Sequence, residues 1–357
     1  MWTFLNRFSL LGLMVVLTFF SQTCQQEGQN EEAVFHKLQG VTMGTSWHLT
    51  YESSSDDVIT QSHVDSLLDL INQSASTYRP QSIISRLNQG GTIHVAEENP
   101  EEIEFFRYNI DIVDRVWELT DGYFDPTVME LVNYWGFGYE GHRPVESVDS
   151  ARIDSLLQFV GYEAIGDRFD GETWRLPSGM QLDFSAVAKG AACDWLGRSF
   201  KNIGVSNYLI EIGGEMLVHG PGRAGKGWIV GVSKPQLNAP AQELIEELAI
   251  RDKALATSGN YRNYYKSDDR LISHTINPMT GYSEEKSILS ATIIAEDCAT
   301  ADALATGVMA MGLESGKKML DETKGIEAYL IYNNGADSML IYETAGMNSL
   351  KYNTTKP

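Results

Sequence analysis

Apolar side chains return at helical spacing in three stretches of this chain. Val64, Leu67, Leu68 and Ile71 share one face within 58–71, and Ile103, Phe106, Ile110, Val113 and Trp117 share another in a longer stretch that stops at Thr120-Asp121-Gly122. Residues 151–159 predict a third, shorter helix. Between and after these lie brief runs rich in β-branched and aromatic residues, at 40–51, 92–95, 174–176, 208–212, 228–232, 272–276, 288–294 and 329–332, which predict strands. A helix at 58–71 would cover the strand at 40–51. The mixture lacks the regular alternation of a parallel sheet, so the pattern predicts an α+β body. No fixed-period repeat is visible.

The N-terminus follows a different logic. Residues 8–20 are mostly apolar, follow Arg7, and fall short of the about 20 residues that a spanning helix needs, which reads as a targeting segment. The run ends at Cys24 and is followed by a polar, acidic stretch, which looks like a bacterial lipoprotein signal. Gln22 and Thr23 depart from the small residues usual there, so a plain cleaved signal peptide or an uncleaved anchor is the alternative. The expected organisation is a signal at 1–24, a tether at 25–37, one folded domain at 38–345 and a C-terminal tail at 346–357. The expected location is the periplasmic face of the inner membrane, with a lipid on Cys24.

Composition narrows the partners. The chain has 357 residues, enough for a substantial core, and 48 acidic against 27 basic residues give a net charge of −21. Such a surface repels nucleic acid and anionic membranes. It leaves room for one dinucleotide held by a lysine, a helix N-terminus and a cation at short range. After Cys24 only Cys193 and Cys298 remain, both in alanine-rich helical patterns, and they read as buried free thiols.

Three blocks carry candidate chemistry. In Cys298-Ala-Thr-Ala-Asp302-Ala-Leu-Ala-Thr306 a carboxylate and a hydroxyl stand four residues apart on one helical face, and hard oxygens at that spacing suit Mg²⁺. The same spacing also fits a first-turn charge with a back-bonding hydroxyl. His274 closes a β-branched run just before Pro278 and Gly281, where side chains can meet a ligand. The block from Leu182 to Asp194 reads as a short strand entering a helix with Lys189 in the first turn, where an anion docks.

These blocks, with Thr42-Met43-Gly44-Thr45, Ser76-Thr-Tyr78-Arg79-Pro, Asp121-Gly-Tyr123-Phe124-Asp125-Pro, Trp135-Gly-Phe-Gly138, Glu211-Ile-Gly-Gly214 and Thr257-Ser-Gly259-Asn-Tyr261, resemble the ApbE-type FAD:protein FMN transferases. They stand in the family's order over roughly 38–345. The resemblance implies a T-fold-like α+β body of two lobes with the ligand between them. It also implies transfer of the FMN part of FAD to a threonine or serine hydroxyl, with release of AMP. Mg²⁺ would be held by Asp302, Thr306 and the backbone carbonyl of Ala186. FAD would contact Met43, Tyr78, Tyr123, Phe124, Asp125, Lys189 and His274, with Gly213-Gly214 and Thr257-Ser258-Gly259 as further contacts. His274 would act as base and Asp302 as the charged metal ligand of catalysis. Asn277 stands where family members often carry Asp, which weakens any role for a carboxylate beside His274. The implied acceptor is a flavin-carrying subunit of a redox-driven ion pump or a related electron-transfer protein. A flavin-storing lipoprotein without catalysis and an Mg²⁺-dependent FAD pyrophosphatase are the competing functions.

Overall fold

The computed structural model describes residues 34–352 apart from 56–57, 142, 167, 236–242, 261–263, 268–269, 285 and 336–338. Cys24 and the signal lie outside the described residues. An eight-stranded sheet organises the rest: β1 (Val34–Thr42), β2 (Thr45–Ser53), β3 (Tyr208–Ile212), β4 (Glu215–His219), β5 (Lys253–Gly259), β6 (Ile288–Ala295), β7 (Glu327–Asn333) and β8 (Met339–Glu343). Each strand pairs antiparallel with its neighbour in this series, so the sheet is a meander in chain order.

The single strand expected at 40–51 is a hairpin. Met43 and Gly44 both take left-handed backbone, with φ of 49° and 73°, which is the two-residue turn whose twist matches the flanking strands. Methionine rarely accepts that conformation, so the sequence carried no turn signal. Residues 34–37, expected in the tether, already belong to β1. The expected tail is also corrected as far as Tyr352. Met347 is fully buried, Ala249 N–H donates to the Leu350 carbonyl at 2.7 Å, and Tyr352 N–H donates to that of Glu247 at 2.8 Å.

Alternation along the strands gives the sheet two apolar faces. Ile210, Ala254, Ala256, Ala291, Ile293, Ala328 and Leu330 face α1 (Gln61–Ala75), α2 (Pro100–Leu119), α3 (Ala188–Asn202) and α4 (Cys298–Met311). Leu255, Ile294, Tyr329 and Ile331 face the other way, onto Trp228, Val230, Leu248 and Ile250 of a separate hairpin, Trp228–Ser233 with Leu244–Ile250. A third, smaller cluster gathers Leu131, Trp135, Ile153, Leu156, Tyr265, Ile272 and Ile276. The expected strand at 272–276 ends at Ser273, and the strand expected before α3 is a turn with one isolated bridge at Gln181.

Helix α4 is buried on every side except at Thr306, so its N-terminal N–H groups need protein acceptors. Two carboxylates supply them. Asp297 accepts from Thr300 N–H at 2.7 Å, while Asp194 on α3 accepts from Cys298 N–H at 2.8 Å and from Ala299 N–H at 2.9 Å. The Tyr108 hydroxyl of α2 donates to Asp194 at 2.9 Å, so one side chain ties three helices together. Cys193 and Cys298 are buried free thiols beside it, as the sequence predicts.

Asp194→Ala leaves two buried N–H groups without acceptors and should cost about 2–4 kcal/mol in urea unfolding. Burial pushes the Asp194 carboxyl from 3.8 up to about 7 against the opposing pull of those N–H groups. A raised folded-state value means that its contribution is fully present below about pH 4 and is lost as pH rises through about 7. Wild type should therefore lose stability relative to Asp194→Asn between these limits. Parallel stability curves for the two proteins would contradict the assignment.

Candidate active site

A cavity of about 750 Å³ opens where the three apolar clusters meet. Its wall takes Phe124 from the helical side, Leu255 from the hairpin side, and Phe137 and Ile276 from the small cluster. The cavity lies inside one α+β unit, among its helices, sheet and hairpin. A second chamber of about 750 Å³ is lined by Val41, Thr42, Met43, Asn72, Tyr78 and Arg79. The two chambers share Gly44, Asp183, Ser185 and Lys189. A lysine thus sits at the junction of two spaces, each within the usual size of a small-molecule site.

Lys189 is held in place there. Its ammonium donates to the Ser185 carbonyl at 3.2 Å and lies 3.5 Å from both Asp302 Oδ2 and Glu215 Oε1. The two carboxylates hold its pKa well above the ordinary lysine value despite burial. Asp183 folds the turn before the helix, accepting from Ser185 N–H at 2.8 Å and from the Ser185 hydroxyl at 2.9 Å. Burial raises the Asp183 carboxyl, and Ser185 opposes that shift.

Asp302 is 3% exposed and reaches across from α4 to α3. Gly190 N–H, which in a continuing helix would bond the carbonyl four residues back, donates instead to Asp302 Oδ2 at 3.1 Å. Among the described residues no backbone hydrogen bond goes to the Ala186 carbonyl. Thr306 completes the group, with Oγ1 3.0 Å from the Ser258 hydroxyl. Ala186, Asp302 and Thr306 therefore line one cavity and offer a carbonyl, a carboxylate and a hydroxyl. Those are hard donors, the kind Mg²⁺ takes. Among the described residues no cluster of three His, Cys, Asp or Glu is arranged for a metal, so a cation here would rely on this mixed set.

The other expected residues divide between the chambers. Tyr123, Phe124, Asp125 and His274 line the first, with Gly213-Gly214 and Thr257-Ser258-Gly259. Met43 and Tyr78 line the second, and Tyr78 is 71% exposed. The Asp125 carboxylate is engaged both in its own loop and across to Tyr162: it accepts from Thr127 N–H at 2.8 Å, the Thr127 hydroxyl at 2.5 Å and Tyr162 N–H at 3.0 Å. Its side chain shapes the wall. His274 is half-buried just past the strand Arg270–Ser273, with the Phe137 ring edge-on at 6.3 Å. Asn277 builds the following turn, accepting from Met279 N–H at 2.9 Å through its side chain and from Gly281 N–H at 2.8 Å through its carbonyl.

Sequence reasoning missed Glu215, which opens β4 directly after the Gly213-Gly214 turn and is 6% exposed. A carboxylate at the start of a short strand reads as solvated, and only the approach of Lys189 identifies it.

A sequence model of the ApbE family matches residues 43–330. The FAD:protein FMN transferase of Vibrio cholerae serotype O1 (strain ATCC 39541 / Classical Ogawa 395 / O395) is 35% identical over 283 residues, covering 78% of this chain and 82% of the relative. That of Escherichia coli (strain K12) is 29% identical over 335 residues, covering 92% and 93%. Among solved structures, the flavin transferase ApbE from Vibrio cholerae superposes with a TM-score of 0.76 at 29% identity, covering 89% of this chain and 99% of that one.

Proposed function

The chain belongs to the ApbE family, and on that footing we propose that it is an FAD:protein FMN transferase that moves the FMN moiety of FAD onto a threonine or serine hydroxyl of an exported acceptor and releases AMP. The acceptor oxygen forms a bond to the FMN-side phosphorus, the pyrophosphate bond to AMP breaks, and the hydroxyl proton leaves to a base. One observation carries the finer reading. The Ala186 carbonyl, two residues ahead of α3 and without a backbone hydrogen bond among the described residues, lies in one cavity with Asp302 and Thr306, beside a lysine that joins two chambers.

Two chambers with a cation between them suit a dinucleotide, whose rings go to either side of a central pyrophosphate. Lys189 supplies charge for that pyrophosphate, and the exposed Tyr78 ring and the Met43 thioether supply flat and polarizable surface. Mg²⁺ held by Ala186, Asp302 and Thr306 would withdraw charge from the transferring phosphate. His274, on the wall of the same cavity, is the candidate to take the acceptor proton, since a threonine hydroxyl is a poor nucleophile without a base. The favoured acceptor is a flavin-carrying subunit of a redox-driven ion pump or related electron-transfer protein. A lipid on Cys24 would hold the enzyme at the periplasmic face of the inner membrane.

Substituting Tyr78 or Lys189 by Ala should weaken FAD binding in both cases, and only the Lys189 effect should fade as salt rises, because screening acts on charge and not on ring packing. Identical salt profiles in fluorescence titrations would remove that division of roles.

The test of the function is mass spectrometry of a threonine-bearing acceptor after incubation with the protein, FAD and Mg²⁺. An FMN-sized adduct is expected. His274→Ala should bind FAD almost normally yet transfer FMN about 10²- to 10⁴-fold more slowly, and Asp302→Ala should lose more activity than Thr306→Ala. AMP formed equally without any acceptor would favour hydrolysis, and FAD binding without AMP would favour storage. Transfer at the wild-type rate by His274→Ala would refute the base.

Cys24→Ser should release the protein from membranes. Membrane-derived wild type with an unmodified N-terminus upstream of Cys24 would end the anchor proposal.

A further inference from the structure

Glu215 has no part in the reaction as described, and its setting is unusual. It is 6% exposed, its buried Oε2 has no hydrogen-bond partner among the described residues, and its Oε1 lies 3.5 Å from the Lys189 ammonium. Leaving a carboxylate oxygen buried and unpartnered is unfavourable, so a purely structural tie would be better made by an amide or an apolar side chain. The gain from a charge here lies in what Lys189 does next. The same ammonium is 3.5 Å from Asp302 Oδ2, so the lysine and any cation compete for one carboxylate.

We propose that Glu215 is a positioning residue that holds the Lys189 ammonium and so leaves Asp302 to the divalent cation. This rests on the Mg²⁺ reading given above. With Glu215 in place, a cation arriving at Asp302 leaves the lysine paired with Glu215 and with the Ser185 carbonyl at 3.2 Å. Without Glu215, binding the cation strips a largely buried ammonium, 25% exposed, of its last carboxylate. That penalty appears as weaker metal binding, and it operates only while Lys189 is charged and present. Glu215 thereby adjusts metal affinity without touching the metal.

The experiment is a set of calorimetric Mg²⁺ titrations on the mature protein and its variants, each checked for folding by circular dichroism. Glu215→Gln should weaken Mg²⁺ binding by roughly tenfold, a change of about 1.4 kcal/mol. Lys189→Met should bind Mg²⁺ more tightly than wild type, because Asp302 then has no competitor. Adding Glu215→Gln to Lys189→Met should cost at most about a third as much in free energy as it does alone. Equal affinity in wild type and Glu215→Gln would overturn the proposal, and so would a full tenfold loss in the Lys189→Met background, which would make Glu215 a ligand or a structural support. If Glu215→Gln does not fold, the comparison of Lys189→Met with wild type decides: tighter binding supports the proposal and unchanged or weaker binding overturns it. Mg²⁺ binding that Asp302→Ala leaves unaltered would overturn the metal reading and this proposal with it. Mg²⁺ binding lost in Asp302→Ala but indifferent to Glu215 would overturn this proposal alone.

Discussion

Everything in the site depends on how closely α3 and α4 cross at Gly190. A Cβ there would stand 2.3 Å from the Cys298 carbonyl oxygen and 2.8 Å from the Ala299 Cα, both backbone atoms that cannot turn aside. The missing side chain lets the two backbones touch, and the touch has three consequences. Gly190 N–H reaches Asp302, the Ala186 carbonyl leaves the helical ladder, and Lys189 comes within ion-pair distance of Asp302. Asp194, one turn further along α3, fixes the same crossing from the other side by capping α4. The crossing is therefore held by hydrogen bonds to a buried helix end and by steric fit, with no disulfide between the neighbouring cysteines.

The meander explains why the other residues arrive at the same place. In an antiparallel series every second connection emerges at the same end of the sheet. The β1–β2 turn brings Met43 and Gly44, the β3–β4 turn brings Gly213 and Gly214, and the long β5–β6 connection brings His274 after Gly259. These segments are far apart in sequence, yet chain parity places them on one rim. The connection between β2 and β3 starts from the opposite end and carries three of the four long helices over the face. Turns supply backbone and glycine surface at the rim, and the helices supply charge from beneath it.

The amphipathic helices were legible because their apolar stripes point at a sheet, and both α1 and α2 lie within a few residues of the expected stretches. Helix α4 shows no such stripe, since alanine, methionine and valine bury its whole circumference; its chemistry was visible only through the Asp302–Thr306 spacing. Strands β4 and β5 were missed because alternation there runs through Glu215, Thr257 and Ser258, polar residues that turn to the cavity instead of solvent. Spacing alone located individual donors but not their meeting, which needs a crossing that no local pattern encodes. The pairing of Glu215 with Lys189 and the hydrogen bond from Tyr162 to Asp125 are both products of tertiary contact.

Charge sets the last constraint on how such a site works. Glu215 and Asp302 flank a single ammonium, with Asp183 on the same cavity wall, in a chain that already carries a net charge of −21. Burial raises the Asp183 and Glu215 carboxyls, and the Lys189 ammonium opposes both shifts. Lys189 by itself does not make this cavity attractive to a pyrophosphate, because its field is cancelled within a few ångströms by two carboxylates. A divalent cation at Asp302 would change the balance, offsetting the carboxylates and leaving the lysine charge to act on an arriving phosphate. On the proposed Mg²⁺ reading, the arrangement that looks unfavourable for an anionic substrate is one that a cation would complete, and binding of one would strengthen binding of the other.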